Sequence, residues 1–406
     1  MLALALSAVP ASAQADAVVD LRNGLRAMVA AGELPNARVL IARRGRVVAD
    51  VTLGERHIAT HAPLADDAVF RLYSMSKPIT SVAALMLVED GRLSLDDPVA
   101  QYLPAFAATR VYTRGDGEAM TTVAPARAMT VRDLLTHASG LTYQFVGDGP
   151  VQRWYRRHGA MRDTAIGRQP DDAAPAHDID TLVARLAEAP LLHQPGARFS
   201  YGYSTTVLGK IVEQVAGEPL ETFLKRRIFD PLEMHDTGFV VTDAQLPRFV
   251  TLYRSGAGGL TPVETAAVSE YRDPARLRDG GGALAGTARD YLHFAQMLAD
   301  GGTWRGRRLL RAETVAAMFR PTLPTGGTGL EDTWFGLGLA LGEARSEAAG
   351  GLPAGAGSWS GSANSYFVVD RAQGVAAVLM TNVLLPRDRT EKLRRLVNRA
   401  IVALRR

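Results

Sequence analysis

The segment Phe70-Arg71-Leu72-Tyr73-Ser74-Met75-Ser76-Lys77-Pro78 sets a hydroxyl three residues before an amine, and an apolar run from Ile79 to Val88 follows, ended by Gly91. The spacing predicts a helix over Thr80–Glu89. Ser74 then stands at the helix start and Lys77 one turn further along the same face. Free backbone N–H groups at a helix start favour an anion near Ser74. The Lys77 amine can take the Ser74 proton if burial or a neighbouring cation lowers its pKa. A guanidinium stays protonated and cannot do this. An N-cap serine is the plain alternative for Ser74, so the pair needs support from elsewhere in the chain.

Composition sharpens the choice of Lys77. The 406 residues carry 46 Lys+Arg against 42 Asp+Glu, a formal net charge of +4, with no cysteine. Only Lys77, Lys210, Lys225 and Lys392 are lysines, so arginine makes up the rest of the basic residues and Lys77 is the one lysine of the first half. The missing cysteine excludes thiol nucleophiles, disulfides and Cys-ligated metals. The arginines come in short scattered groups such as Arg43-Arg44, Arg156-Arg157, Arg226-Arg227 and Arg394-Arg395, with no basic block of the kind that holds nucleic acid. The elbow Gly-x-Ser-x-Gly, His-Glu-x-x-His and the P-loop pattern are absent. The expectation is therefore no metal, no cofactor and no nucleic-acid partner.

The elements that must position such a pair read as a mixed α/β (α+β) chain. Val39–Ala42 and Val47–Leu53 predict a hairpin after a helix at Val18–Ala31. Near the other end, Tyr366–Asp370 and Gly374–Thr381 predict paired strands before a last helix at Thr390–Leu404. Between them, Val131–His137, Thr181–Glu188 and Thr205–Val215 read as helices, with Lys210 on a solvated face. Strand-rich ends around a helical middle imply an antiparallel sheet built from both chain ends, flanked by helices, with a mainly helical insertion. The division expected is 14–90 plus 270–406 for the α/β part and 91–269 for the helical part. Residues 144–180, rich in Asp, Arg, Gly and Pro, read as a long loop or lid. Residues 1–13 resemble a signal peptide, with Ala11-Ser12-Ala13 before a cleavage site, and imply a periplasmic or secreted protein. No later run is long and apolar enough for a membrane helix.

Two further segments complete a pattern: Pro195–Tyr203, with Ser200-Tyr201-Gly202-Tyr203, and Ser358-Trp359-Ser360-Gly361-Ser362. Together with Asp133–Leu141, Asp230–Met234 and Gly280–Met297, they make the chain resemble the serine β-lactamase-like superfamily, which holds penicillin-binding proteins, class C β-lactamases and family VIII carboxylesterases. The resemblance implies a β-lactamase/transpeptidase-like fold. It implies Ser74 as acylated nucleophile, Lys77 as base or proton relay, and Tyr201 as the phenol of the Tyr-x-Asn motif. The oxyanion donors would be the backbone N–H groups of Ser74 and of Ser362 on the facing strand.

The chain departs from the family pattern twice. Tyr203 stands where asparagine is expected, and Trp359-Ser360-Gly361 where Lys-Thr-Gly is expected. Tryptophan offers an apolar face and one N–H donor in place of a cation. This favours a neutral ester, short-chain or aromatic, over a carboxylate-bearing lactam, and places the chain nearest family VIII carboxylesterases. Trp359, Gly361, Tyr143 and Tyr203 are the residues expected to touch substrate, although packing explains Tyr143 equally well and Tyr203 can simply start its helix. A β-lactamase or D,D-peptidase-type amidase, an acyltransferase with the same acyl-enzyme, and a non-catalytic protein on the same fold are the alternatives.

Overall fold

Successive side chains of a strand point to opposite faces, and the first strand of this chain is apolar on both. In β1 (Asn36–Arg43), Val39 and Ile41 join one apolar cluster while Leu40 and Ala42 join another. A sheet with two such faces needs cover on each side. The structure is a computed structural model that describes residues 11–164, 169–324 and 333–405. After β1 come β2 (Arg46–His57), β3 (Ala62–Pro63), β4 (Leu323–Pro324), β5 (Thr333–Phe335), β6 (Ala340–Gly342), β7 (Gly357–Ser360), β8 (Tyr366–Asp370) and β9 (Val375–Met380). They form one sheet in the order β4-β5-β6-β7-β8-β9-β1-β2-β3. Its middle is where the two chain ends meet: β9 pairs antiparallel with β1, Leu40 opposite Val378.

Helices supply the cover. α1 (Ala11–Ala30) contributes Leu21, Leu25 and Met28 to one face. α2 (Ser76–Glu89) is buried at every position from Ser76 to Leu87, as expected of a helix that is apolar all round. Further along are α3 (Val131–Leu135), α4 (Pro150–Arg157), α5 (Ile179–Glu188), α6 (Ser204–Ala216) and α7 (Ala288–Ala299). The last helix, α8 (Arg387–Arg405), adds Leu393, Val397 and Ile401 beside α1. α7 covers the opposite face, with Phe294 and Leu298 in the larger cluster. α2 packs on α6 within that cluster, so the Ser74–Lys77 turn is anchored between sheet and helices.

The expected mixed α/β architecture, with an antiparallel sheet from both ends, is the one observed. Two local expectations change. Segment 144–180 is not a plain loop: α4 lies within it, with Val151 and Tyr155 buried one turn apart. Arg156 there is buried because Asp148 and Asp172 pair with it. Lys210 is not on a solvated face: it is buried, its ammonium 2.6 Å from Asp180 and 2.5 Å from Glu213. Most of the signal-like stretch, residues 1–10, lies outside the described residues, and Ala11–Ala13 open α1.

Candidate active site

The turn carrying Ser74 is clamped from several sides. Leu72 donates its N–H to the Leu284 carbonyl at 2.9 Å. The Asn382 side chain accepts from Arg71 N–H at 3.0 Å and donates to Arg71 O at 3.2 Å. The Tyr291 hydroxyl donates to Met75 O at 2.8 Å, and Ser76 Oγ accepts from Leu284 N–H at 3.1 Å. These contacts hold Tyr73 at φ 46°, a left-handed backbone that costs about 1–3 kcal/mol for a residue with a Cβ. Ser74 follows in a 3₁₀ turn at Tyr73–Met75, just before α2.

Lys77, buried in the first turn of α2, reaches three oxygens. Its Nζ donates to Gly281 O at 2.5 Å, Tyr143 Oη at 3.0 Å and Ser74 Oγ at 3.2 Å. An ammonium has three donors, and all three are engaged here. A neutral amine has two donors and one lone pair; with Gly281 and Tyr143 as acceptors, the lone pair faces Ser74. The Tyr201 hydroxyl approaches Ser74 Oγ from the other side at 2.5 Å. The Lys77 ammonium lies 4.9 Å from the Tyr201 ring centroid.

Backbone packing explains why Tyr201 arrives there. Ser200 donates its N–H to His137 O at 2.7 Å and its hydroxyl to Leu141 O at 2.9 Å. A Cβ on Gly202 would lie 2.4 Å from Thr142 Cα, so only glycine lets this chain pass the Leu141–Thr142 backbone between the two tyrosines. Tyr203 is buried at the start of α6, donates to Gln144 Oε1 at 2.9 Å and packs edge-on against Tyr143 at 4.3 Å.

β7 forms the opposite wall. Trp359 packs against Tyr201 at 5.4 Å and Phe335 at 5.2 Å. His137 sits in the same aromatic nest, 5.2 Å from Tyr201. Burial, with the nearby Lys77 cation, holds the imidazole well below its ordinary pKa, so it is neutral. Burial likewise pushes the Tyr143 phenol well above its usual range, reinforced by Tyr201, and keeps it a neutral acceptor for Lys77. Gly361 ends the wall: a Cβ there would meet Leu72 O at 2.4 Å. Ser362 lies just past β7, not on the strand as expected.

Two clefts flank Ser74. One, of about 280 Å³, is lined by Ser74, Tyr201, Trp359, Ser360, Gly361, Ser362, Leu385 and Arg394. The other, of about 20 Å³, is lined by Ser74, Tyr143, Gln144, Phe145, Arg162, Tyr203 and Ser362. The structure thus brings Ser74, Lys77 and Tyr201 together and sets Trp359, Gly361, Tyr143, Tyr203 and Ser362 around them. Tyr143 packs and also accepts from Lys77, while Tyr203 supports Gln144 and Tyr143 from behind. Sequence reasoning missed the Gly281 carbonyl, His137, Arg162 and Arg394. Among the described residues the Arg394 guanidinium forms no ion pair. It donates to Ser360 Oγ at 2.8 Å and lies 5.4 Å above the Tyr366 ring.

With these features in view, the class of protein is defined: the Beta-lactamase family profile matches residues 21–400, and the chain belongs to that family. Esterase EstB of Burkholderia gladioli is 31% identical over 398 residues, covering 94% of this chain and 92% of that protein. The solved structure of EstCE1, described as a hydrolase with promiscuous acyltransferase activity, aligns with a TM-score of 0.78 at 26% identity, covering 96% of this chain and 100% of that one. A family VIII carboxylesterase structure shares the fold, with a TM-score of 0.69 at 20% identity over 95% of this chain and 97% of that one.

Proposed function

We propose that the chain is a serine carboxylesterase acting through an acyl-enzyme on Ser74. One observation carries this reading: Ser74 Oγ sits 3.2 Å from the Lys77 amine and 2.5 Å from the Tyr201 hydroxyl, at the junction of two clefts. In the first step Lys77 takes the Ser74 proton while Oγ bonds to the ester carbonyl carbon. The carbonyl oxygen becomes an oxyanion facing the backbone N–H groups of Ser74 and Ser362. On collapse, the C–O bond to the alcohol breaks and Tyr201 donates its proton to the departing oxygen, regaining one from Lys77. Water then attacks the acyl carbonyl by the same route in reverse and frees the acid.

Tyr201 lines the wider cleft and is absent from the lining of the narrow one. A proton donor must lie at the leaving oxygen, so the alcohol occupies the wider cleft and the acyl group the narrow one. About 20 Å³ is room for little more than one water, which favours a short acyl chain. The similarity to EstB supports an ester as substrate and that to EstCE1 supports acyl transfer to acceptors other than water. Arg394 favours a second reading: it restores a cation beside Trp359-Ser360-Gly361, which keeps carboxylate-bearing lactams and peptides in view. Assay of p-nitrophenyl butyrate hydrolysis by Ser74→Ala, with nitrocefin in parallel, tests both. Ester turnover lost in the variant supports the esterase, and turnover retained refutes it; nitrocefin turned over much faster than the ester favours the amidase. The signal-like residues 1–13 favour export, which cleavage after Ala13 in a periplasmic fraction would establish.

A further inference from the structure

The Lys77 amine is anchored by a carbonyl, and that carbonyl belongs to a loop built on a buried charge. Asp279 is fully buried. Its Oδ1 accepts the Gly281 N–H at 2.6 Å and the Thr206 hydroxyl at 2.7 Å. Its main-chain carbonyl accepts the Gly282 and Ala283 N–H groups at 3.1 and 3.0 Å. The carboxylate thus fixes Gly281 through its N–H, and the carbonyl of the same residue takes the shortest of the three Lys77 contacts. Among the described residues its Oδ2 has no hydrogen-bond partner, and it faces Arg162 Nε at 3.7 Å. Arg162 in turn donates from Nη1 to Gly282 O at 2.9 Å and lines the narrow cleft beside Ser74. One guanidinium therefore touches the Asp279 charge, the carbonyl next to the Lys77 anchor and the space assigned to the acyl group.

We propose that Asp279 and Arg162 are a positioning pair that sets the proton affinity of Lys77: Asp279 fixes the Gly281 carbonyl and favours the ammonium, and Arg162 offsets that charge from the acyl side. The proposal rests on the acyl-enzyme reading and deepens it. The other groups facing Lys77 are Tyr143 and Tyr201, with Tyr203 behind Tyr143 and His137 behind Tyr201. His137 is held neutral by burial and by Lys77, and Tyr143 and Tyr203 have raised pKa values through burial first. The field of Asp279 reaches this group, since it raises both Tyr143 and Tyr203, and Arg162 acts on both in the opposite sense. The pair thus contributes two fixed charges of opposite sign to the surroundings of the amine, beyond the buried Arg71–Glu264 ion pair on the Tyr73 side.

The signs follow. Removing the anion favours neutral Lys77, so Asp279→Asn moves the acid limb of the rate profile to lower pH. Asn retains the Oδ1 acceptor for Gly281 and Thr206. Removing the cation favours the ammonium, so Arg162→Met moves the limb to higher pH. At an effective dielectric of about 20, a unit charge just beyond contact range shifts a pKa on the order of one unit. The double variant should return close to the wild-type limb. The readout is the pH dependence of the labelling rate of Ser74 by a fluorophosphonate, which needs only the activated hydroxyl and no particular ester.

Opposite shifts of about one unit in the single variants, with near-cancellation in the double variant, are the expected result. A merely structural role lowers labelling without moving the limbs in opposite directions. Unshifted limbs, or limbs that move the same way, in variants with wild-type circular dichroism overturn the pair. If Asp279→Asn fails to fold, Arg162→Met alone decides, and an unmoved or lowered limb overturns the proposal. Absence of labelling in the wild type refutes the acyl-enzyme reading itself, and the proposal falls with it.

Discussion

Gly361→Ala tests whether the two chain segments proposed to hold the oxyanion donors are in register through direct backbone contact. The added Cβ would sit 2.4 Å from Leu72 O, where ordinary contact begins near 3.4 Å. The shortfall is about 1 Å. Ser365 Oγ, at 2.3 Å, can rotate away, but Leu72 O is main chain and belongs to the segment that Leu284 and Asn382 clamp. The end of β7 must therefore move. Gly361 directly precedes Ser362, and Leu72 lies two residues before Ser74, so the displacement separates the two N–H donors. Overpacking of this kind costs about 1–3 kcal/mol of stability. A 1 Å misplacement in a preorganised site costs about 10²-fold in rate. The assay is p-nitrophenyl acetate hydrolysis with thermal unfolding measured alongside. The expected outcome is kcat reduced about 10²-fold with KM little changed and a modestly lowered Tm. A kcat within threefold of wild type refutes the reasoning about this contact.

Other outcomes follow from the same geometry. Tyr201→Phe should lower kcat/KM by about 10²–10⁴-fold on esters of alkyl alcohols and by much less on p-nitrophenyl esters, whose leaving group needs no proton; equal losses on both would contradict the leaving-group role. Lys77→Arg keeps the charge and loses the base, so steady-state ester turnover should be nearly abolished. Arg394→Met should lower kcat/KM for 4-acetoxybenzoate at least tenfold more than for its neutral methyl ester, measured side by side. His137 has a folded pKa below its unfolded value, so the unfolded chain binds the extra proton and stability is lost as pH falls below about 6.5. The loss deepens as the pH falls further, and urea titrations should show this slope flattened in His137→Phe.

Much of this was legible from residue types because local chemistry left few choices. A lysine retained in an arginine-rich chain, one turn from a serine at a helix start, marked the Ser74–Lys77 pair. The continuous apolar runs Val39–Ala42 and Tyr366–Val369 marked strands that a sheet must bury on both faces. Tyr201 and Trp359 were found through the segments around them, whose family pattern brought them to the site; no periodicity did. What was hidden depends on tertiary pairing. Arg394 read as one member of the short scattered arginine groups, and only α8 brings it beside Ser360. Lys210 looked solvated because one of its carboxylate partners, Asp180, comes from another helix, α5. The Gly281 anchor is a backbone carbonyl, which no side-chain pattern reveals. α4 escaped because its buried face is short and its remaining surface is charged.

The most direct test of the central claim is to trap the acyl group. Tyr201→Phe, incubated with p-nitrophenyl acetate and quenched in acid, should gain the mass of one acetyl group, and peptide mapping should find it on Ser74. An enzyme that turns over the ester without ever carrying an acyl group, or that carries it on another residue, would contradict the account.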